Sequence, residues 1–404
     1  MAPRNVTDLA PQIDEASQPE APPPEPLVFE FRGNAREYFR IWVVNLALSL
    51  CTLGLYSPWA KVRRLRYFYG NTYLDGSSFE FLGSPIAILK GRAIAVTAFA
   101  AYWYASHFHP IANIVLVPVL ALGFPWVMVK ALRFRARHSA YRNITFSYDG
   151  HYGTIAFAYL ALPLLAVGTV VGAFVLFGWD LPELAASGQV TFAPEVSRKV
   201  FPLILLTMLA VMIAYPYFYY LQRRAYLAPR RFGEAAFAFD CHPRSFYHLF
   251  LLMVVYGAIA VITFFVAMWF VGLLGTVLHI SLPAAVAPVA GSLAFGLVNL
   301  LLFVTFITLV RNRVISALRI GEATLSSRLN VGTVYMLYLT NIVAVVCSLG
   351  LLAPWAKVRL TYYQLARTSL LAPHGTQVFT GTPAQSASAV GEELAEVFDL
   401  DLAI

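Results

Sequence analysis

Two closely spaced histidines, His107 and His109, form the arrangement in this sequence that comes nearest to a metal site. A His-x-His pair offers two imidazole ligands, but a zinc or copper site needs further ligands at fixed geometry. We therefore interpret the pair as polar residues of an aqueous turn. The sequence also contains no HExxH, GxSxG, P-loop or CxxC pattern. We expect no metal, no cofactor and no enzymatic activity.

Four polar residues inside apolar stretches offer a different chemistry, because their amides or hydroxyls could contact a transported solute. These candidate pore or substrate contacts are Asn45, Thr52, Asn299 and Asn341. Polar groups in such places more often form hydrogen bonds between helices, each worth roughly 1 kcal/mol. The residues therefore leave two alternatives open, a pore lining or a contact between helices.

The composition indicates that these residues lie in a bilayer. Of the 404 residues, 59% are hydrophobic and only 12% are charged, whereas a soluble chain has about 25% charged residues. This shortage of surface charge excludes a cytosolic enzyme, a disordered scaffold and a nucleic-acid-binding domain. We predict membrane lipids, and no nucleic acid, as partners of the chain.

Six apolar stretches are long enough to cross a bilayer, since a spanning helix needs about 20 apolar residues. Short turns group these stretches into three helical hairpins. The predicted spans are about 86–106 with 111–129, 153–179 with 199–221, and 246–279 with 286–310. They belong to a predicted membrane domain over residues 31–367. A disordered, acidic and Pro-rich tail is expected at 1–30, and an acidic tail at 368–404.

The linkers between the hairpins are strongly basic. Residues 61–92, 130–142, 223–244 and 311–328 carry twenty Lys and Arg, against two in the turns within the hairpins. Basic residues favour the cytoplasmic side of a membrane, so we predict a multi-pass bacterial inner-membrane protein with cytoplasmic basic linkers. Near the surface, each cation attracts anionic lipid by about 1 kcal/mol. The candidate headgroup contacts are Arg63, Arg64, Arg133, Arg135, Arg137, Arg223 and Arg224.

Two further apolar segments, 38–67 and 334–363, are copies of each other. Asn45–Tyr67 aligns with Asn341–Tyr363 without a gap at an offset of 296, and the block Pro-Trp-Ala-Lys-Val-Arg is identical in both. A Gly and a Pro interrupt each copy, and both residue types weaken a helix. The candidate hinge or gate residues are Gly54, Pro58, Trp59, Gly350, Pro354 and Trp355.

Two topologies stay open for these copies. If each copy dips into the membrane and returns, the protein has six spans and two cytoplasmic termini. If each copy crosses once, the protein has eight spans with the copies in opposite orientation, as in many transporters. We favour the re-entrant alternative because it keeps more of the Lys and Arg residues on the cytoplasmic side.

The basic linkers repeat as well. Gly233–Phe239 matches Gly321–Ser327 at an offset of 88, and Phe146–Tyr148 matches Phe237–Phe239 at an offset of 91. Alternating aromatic residues predict short strands. The predicted fold class is an all-α polytopic membrane protein with three transmembrane helical hairpins and two duplicated terminal segments broken by Pro and Gly. Short cytoplasmic strands are an addition to that prediction.

Several of these motifs resemble one known family. Thr52–Arg64 (TLGLYSPWAKVRR), Tyr67–Gly76 (YFYGNTYLDG) and Leu132–Arg137 (LRFRAR) are similar to the YjgN-like bacterial inner-membrane proteins. The resemblance extends from about residue 28 to residue 367. It implies a polytopic inner-membrane protein of unknown function and supplies no catalytic residue.

Two functions therefore follow as hypotheses. The first is transport or permeation of a small solute or lipid, because broken membrane segments resemble the irregular backbone that lines transport sites. This hypothesis predicts that Asn45 and Asn341 face one cavity. The second is a non-transporting membrane scaffold, or a protein that binds anionic lipid through its basic face.

Overall fold

The computed structural model describes residues 26–176, 194–278 and 286–373. Within these ranges the chain forms ten α-helices and eleven short β-strands. The helices are α1 (Ala35–Cys51), α2 (Ser57–Gly70), α3 (Pro85–Phe108), α4 (Asn113–Arg137), α5 (Tyr152–Leu176), α6 (Pro194–Leu227), α7 (Arg244–Val277), α8 (Val286–Ser316), α9 (Val331–Cys347) and α10 (Ala353–Ala366). The strands are β1 (Leu27–Val28), β2 (Glu30–Phe31), β3 (Thr72–Leu74), β4 (Ser77–Phe81), β5 (Ser139–Tyr141), β6 (Ile144–Tyr148), β7 (Arg230–Phe232), β8 (Ala235–Phe239), β9 (Leu318–Ile320), β10 (Ala323–Ser327) and β11 (Thr368–Leu371).

The strands form one closed antiparallel ring. Their order is β1-β11-β10-β9-β8-β7-β6-β5-β4-β3-β2. The strands at the two ends of this order, β1 and β2, are separated in the chain by Phe29 alone, and the Phe29 amide donates to Thr368 O at 3.1 Å. One N-terminal strand therefore pairs with β11 over its first part and with β3 over its second part. Closure in this way leaves the ring with no unpaired edge strand.

Five modules of strand, helix, helix and strand build the ring. They span residues 27–74, 77–141, 144–232, 235–320 and 323–371, and we number them 1 to 5. Each module leaves the ring through its first helix and returns through its second helix. The first and last strands of each module pair with each other, through β2–β3, β4–β5, β6–β7, β8–β9 and β10–β11. Neighbouring modules pair through β3–β4, β5–β6, β7–β8, β9–β10 and β11–β1.

The junction between the first strand and the first helix follows a local rule in three modules. An aromatic residue ends the strand, and a glycine follows two positions later: Phe31 with Gly33, Phe81 with Gly83, and Tyr148 with Gly150. The aromatic ring folds back over the glycine, so that a Cβ at any of these glycines would overlap the ring. Only glycine leaves room for the aromatic ring to lie against the backbone at this position. The chain can therefore turn sharply from the strand into the helix.

Two-residue turns connect the strands of successive modules. Asp75 and Gly76 both have positive φ, at 46° and 72°, and Arg142 and Asn143 have 50° and 63°. Two consecutive residues in this region are typical of the type I′ turn, whose twist matches that of a hairpin. These turns hold the short strands in register although each strand has only two to five residues.

Six helices in the described ranges are long and apolar enough to cross a membrane. They are Pro85–Phe108, Asn113–Arg137, Tyr152–Ala173, Val200–Leu227, Arg244–Val277 and Pro288–Ser316. Each predicted span coincides with one of them, although α4, α6 and α8 continue past the predicted ends at 129, 221 and 310 to reach the ring. The predicted ends at 179 and 279 lie outside the described residues. Because every span begins or ends at the same ring, the four basic linkers lie at one end of the spans.

Each duplicated segment forms a shorter helical hairpin that leaves the ring and returns to it. Copy 1 consists of α1 and α2, and copy 2 of α9 and α10, with 17 and 14 residues in the two helices of each copy. All four helices are shorter than the roughly 20 residues that a spanning helix needs. Strands of the same ring flank each copy on both sides, which agrees with a re-entrant hairpin and not with a single crossing.

The ring changes two predictions. The description as all-α is too narrow, because a sheet accompanies the helices. The predicted limits of the membrane domain at 31 and 367 are also too tight, because residues 27–30 and 368–371 form strands that close the ring. Sequence alternation did not reveal the closing strands at 27–28, 30–31 and 368–371, because each is too short to show a period. Residues 1–25 and 374–404 of the predicted tails lie outside the described residues.

The main core of buried side chains lies at the ring and not among the spans. It draws on strands and helix ends of all five modules, and aromatic rings contact one another across the strand pairs, as Phe79 does with Tyr141 at 4.7 Å and Phe146 with Phe232 at 4.8 Å between ring centroids. In contrast, only 11–22% of the apolar stretch in each long helix is buried inside the protein. Members of the core include Phe31, Tyr67, Tyr141, Tyr148, Phe232, Phe239, Leu325 and Leu370.

Gly150→Ala tests the junction rule. The added methyl group would overlap the Tyr148 ring, and that ring cannot move without disturbing the bond from its hydroxyl to Ala225 O at 2.8 Å. We expect a loss of about 1–3 kcal/mol in the free energy of unfolding, as for other overpacked sites, measured by thermal unfolding in detergent. Gly153→Ala is the matched control, because a Cβ there meets nothing within 4 Å. Equal melting temperatures for the two variants would refute the rule.

Candidate functional site

The two duplicated asparagines close their own hairpins. Asn45 Nδ2 on α1 donates to Ala60 O on α2 at 3.5 Å. Asn341 Nδ2 on α9 donates to Ala356 O on α10 at 3.3 Å. Both contacts join the helices of one copy, so the structure gives each asparagine the role of a contact between helices. The described contacts do not bring the two side chains together.

The side-chain oxygens of the two asparagines distinguish the copies. Asn341 Oδ1 accepts from Arg359 Nη1 at 3.3 Å, and the same nitrogen donates to Thr340 Oγ1 at 2.6 Å. Asn45 Oδ1 is buried and has no hydrogen-bond partner within the described part of the chain. The duplicated sequence has therefore produced one completed polar cluster and one incomplete one.

The other candidate pore contacts bond locally. Thr52 Oγ1 donates to Leu48 O at 2.7 Å and accepts from Tyr56 N at 3.0 Å. Asn299 Nδ2 donates to Phe295 O, one turn earlier in α8, at 2.8 Å. Thr52 thus helps to form the turn of copy 1, and Asn299 is separate from it on a spanning helix.

The candidate hinge residues lie where the helices of each copy reverse. Gly54 and Gly350 have φ of 89° and 91°, and each follows a leucine that is also left-handed, Leu53 at 50° and Leu349 at 51°. The Gly54 amide bonds Ser49 O at 2.7 Å and the Leu53 amide bonds Leu50 O at 3.2 Å. This is the Schellman arrangement, which ends a helix and satisfies its last carbonyls. Pro58 and Pro354 then begin the second helices, where a missing amide hydrogen costs nothing.

Exposed leucines occupy the tips of both hairpins. Leu53 is 95% exposed and Leu349 is 94% exposed. A left-handed conformation costs a leucine about 1–2 kcal/mol, and full exposure in water would add to that cost. A lipid environment removes the second cost. The tips therefore have the surface of segments that enter the acyl region of a bilayer.

Among the candidate headgroup contacts, two arginines are engaged inside the fold. Arg133 Nη2 donates to Gly150 O at 3.0 Å. Arg223 Nη2 donates to Tyr219 Oη at 2.6 Å, and its guanidinium lies 4.6 Å from the centroid of the same ring. Arg64 and Arg135 are half-buried and take part in other interactions. Arg63, Arg137 and Arg224 are exposed.

The contact of Arg133 belongs to a series that sequence reasoning missed. Arg66 Nη2 donates to Gly83 O at 3.4 Å, 17 residues later, which is the spacing of Arg133 and Gly150. Asn312 continues the series, since it donates to Leu329 O and accepts from Leu329 N, both at 2.9 Å. In each case the second helix of one module holds the start of the next. The constant spacing of 17 residues is the signal that could have revealed them.

Exposed ion pairs link the two ends of single modules at the ring. Arg142 Nη2 lies 3.0 Å from Asp75 Oδ2, and Arg231 Nη1 lies 3.9 Å from Asp149 Oδ2. Arg319 and Asp240 repeat the second pair one module later. Exposed pairs contribute about 0–1 kcal/mol each, so the ring relies mainly on strand pairing and its core. These pairs nevertheless take up part of the positive charge of the linkers.

Burial favours the neutral forms of two groups at the ring, Tyr148 and Cys241. Burial raises the pKa of the Tyr148 phenol above its ordinary value, and the nearby Arg230 charge only partly opposes this effect. Burial likewise raises the pKa of the Cys241 thiol. A protonated phenol that donates to a backbone carbonyl serves packing, and a protonated buried thiol is a poor nucleophile. The described residues contain no group of three or more His, Cys, Asp or Glu that could hold a metal.

Comparisons with known proteins agree with the resemblance seen in the motifs. A family model described as "Bacterial protein of unknown function (DUF898)" matches residues 26–397. The inner membrane protein YjgN of Salmonella typhimurium is 27% identical over 161 residues, which are 40% of this chain and 40% of that protein. The protein of the same name in Escherichia coli K12 is 29% identical over 151 residues, 35% of this chain and 37% of that protein. The chain thus spans about two-fifths of the length of the curated relatives it matches. No solved structure matches.

The asymmetry between the two asparagines gives a stability test. Asn341→Leu would leave the Arg359 guanidinium without one acceptor, and we expect a loss of about 1–3 kcal/mol in the free energy of unfolding. Asn45→Leu should cost less than 1 kcal/mol, because it also removes a buried oxygen that has no partner. Thermal unfolding in detergent measures both. A larger loss for Asn45→Leu would contradict the described bonding.

Proposed function

We propose that this chain, which belongs to the DUF898 family of bacterial proteins, is an inner-membrane protein that binds anionic lipid headgroups and does not transport a solute. Its integral position in the inner membrane follows from the relatives named inner membrane proteins and from six helices long enough to span. The lipid-binding role and the cytoplasmic position of the ring are the proposed parts.

The position of the core is the observation that carries this proposal. One continuous cluster of buried side chains receives residues from all five modules and lies at the ring where the ten helices converge. The side chains of this cluster are aromatic and aliphatic, and buried protein cores are packed as densely as organic crystals. A closed ring with such a core therefore favours a role at the membrane surface over permeation.

The exposed arginines supply the attraction for lipid. Arg137 and Arg224 end or nearly end spanning helices, and Arg63 lies on the second helix of copy 1. All three are exposed. Cations at the ends of spans meet the headgroup layer, where anionic lipids create a negative surface potential. The neighbouring leucine tips would hold the protein at a fixed depth.

A transport role stays a prediction with weaker support. It was motivated by amides in broken membrane segments, and Asn45 and Asn341 instead bond their own hairpins. The absence of enzymatic activity is likewise an expectation, since no described contact tests it.

Cysteine labelling tests the proposed orientation. In a background without Cys51, Cys241 and Cys347, Glu234→Cys lies in a turn of the ring and His107→Cys lies near the far end of α3. We expect a membrane-impermeant maleimide to label His107→Cys in spheroplasts and Glu234→Cys only in inverted vesicles, because basic linkers favour the cytoplasm. The reverse pattern would place the ring in the periplasm.

A matched pair of triple variants tests lipid binding. In phosphatidylcholine nanodiscs with a minor fraction of phosphatidylglycerol, Arg63→Gln, Arg137→Gln and Arg224→Gln together should lower bound phosphatidylglycerol at least tenfold, at about 1 kcal/mol for each cation. Native mass spectrometry counts the bound lipids.

The control removes the same charge from the strand ring and its margin, by Arg32→Gln, Arg231→Gln and Arg319→Gln. Phosphatidylglycerol binding should then stay within about twofold of the parent protein, since these side chains pair with carboxylates away from the spans. The proposal fails if the first triple variant keeps its bound phosphatidylglycerol, or if both variants lose it equally.

A further inference from the structure

We propose that copy 2 contains a preorganised site for the phosphate group of an anionic lipid, built around Arg359, and that copy 1 lacks this site. The inference rests on the proposed lipid-binding function and assigns it to one side chain. It concerns a specific contact, in contrast to the general attraction of the exposed arginines.

Three neighbours fix the Arg359 guanidinium. Its Nη1 donates to Thr340 Oγ1 at 2.6 Å and to Asn341 Oδ1 at 3.3 Å. Its central carbon lies 5.1 Å from the centroid of the Trp355 ring, one helical turn earlier. Both acceptors are on α9 and Arg359 is on α10, so the group is held across the hairpin. The Arg359 side chain therefore loses little rotamer freedom when a ligand binds.

The opposite edge of the guanidinium remains for a ligand. Only Nη1 makes hydrogen bonds within the described residues, which leaves the donors on Nε and Nη2. A planar guanidinium offers two parallel donors that match two phosphate oxygens, a geometry that lysine cannot provide. Arg359 is half-buried and the adjoining Thr340 is exposed, so the group is reachable from the lipid side.

The depth of Arg359 suits a headgroup and not an acyl chain. Leu349 at the tip of copy 2 is 94% exposed and apolar. Trp355 lies two residues into α10, where an aromatic ring marks the membrane interface. Arg359 lies four residues further, about 6 Å towards the ring at 1.5 Å per residue. Tip, tryptophan and arginine thus follow the order of acyl chain, interface and phosphate.

Copy 1 repeats the sequence but not the site. Val44 stands where copy 2 has Thr340, at the offset of 296, so Arg63 lacks the hydroxyl that positions Arg359. Arg63 is exposed, and Asn45 Oδ1 has no partner in the described part of the chain. Copy 1 therefore lacks one of the two acceptors that hold the Arg359 guanidinium in copy 2. The chain therefore contains its own control.

Binding of phosphatidylglycerol in phosphatidylcholine nanodiscs tests the inference on the full chain. We expect Arg359→Gln to weaken binding about tenfold and Arg359→Lys at least fivefold, because lysine keeps the charge but loses the fork. Thr340→Val, which copies position 44, should weaken binding at least threefold. Arg63→Lys, the matched change in copy 1, keeps the charge that attracts lipid there, so it should weaken binding less than twofold.

Two outcomes would overturn the site. Equal effects of Arg359→Lys and Arg63→Lys would show that copy 2 holds no site of its own, and retained binding in Thr340→Val would show that the hydroxyl does not position the guanidinium. In either case the exposed triple variant can still lose its lipid, so the proposed function is judged separately. Retained binding in the triple variant would instead refute the function while leaving a phosphate site to be measured at Arg359.

Inorganic phosphate distinguishes the source of the ligand. Titrated into detergent-solubilised protein, it should bind at least tenfold more weakly than phosphatidylglycerol does in nanodiscs, because the leucine tip and Trp355 contribute only to a lipid. Phosphate binding that is lost in Arg359→Gln, without any preference for phosphatidylglycerol in nanodiscs, would overturn the assignment to lipid. Thermal unfolding of each variant in detergent, within about 3 °C of the parent, shows that the fold is intact.

Discussion

Backbone pairing between the two ends of the membrane domain is the constraint on which the rest of the structure depends. Residues 27–31 bond β11 on one side and β3 on the other, so ten short strand segments close into a ring. Strands of two to five residues have little stability alone. Closure satisfies every edge and gathers the aromatic residues of five modules into one core. The ring sets the positions of the helices, because each helix begins or ends beside a strand.

The five modules share one order of strands and helices but differ in the lengths of their helices. Three carry long apolar helices, and the first and last carry short ones. Since ring closure makes modules 1 and 5 neighbours, α1 contacts α10 and the two short hairpins lie side by side. Their leucine tips end at a smaller distance from the ring than the spans do. The long modules thus extend well beyond the short pair, whose side chains lie nearer to the ring.

The sequence predicted the parts that depend on apolar content and missed those that depend on a few contacts. Six spans and the duplicated segments were evident, because a bilayer requires long apolar runs and the copies share an unbroken block. The ring was not evident, since its closing strands at 27–31 and 368–371 are short and far apart in the chain. The kinship of the modules was visible in their linkers, where Phe146–Tyr148 matches Phe237–Phe239, but not in their apolar helices. Lipid-facing surfaces need only be apolar, so similarity survives at joints such as Arg133 with Gly150. The sequence left Asn45 and Asn341 open as pore contacts or contacts between helices, and the structure shows each bonded to the second helix of its own hairpin.

The dependence of the ring on both ends of the domain constrains the order of events during synthesis. Residues 27–31 leave the ribosome early, whereas β11 is made only after all six spans. Until then the first strand keeps one side of its backbone open, and such a side is a template for pairing with another chain. Bringing together segments so distant also slows folding. Insertion of the intervening hairpins into the membrane shortens the free path between the two ends, so translocation itself would guide the last step of assembly.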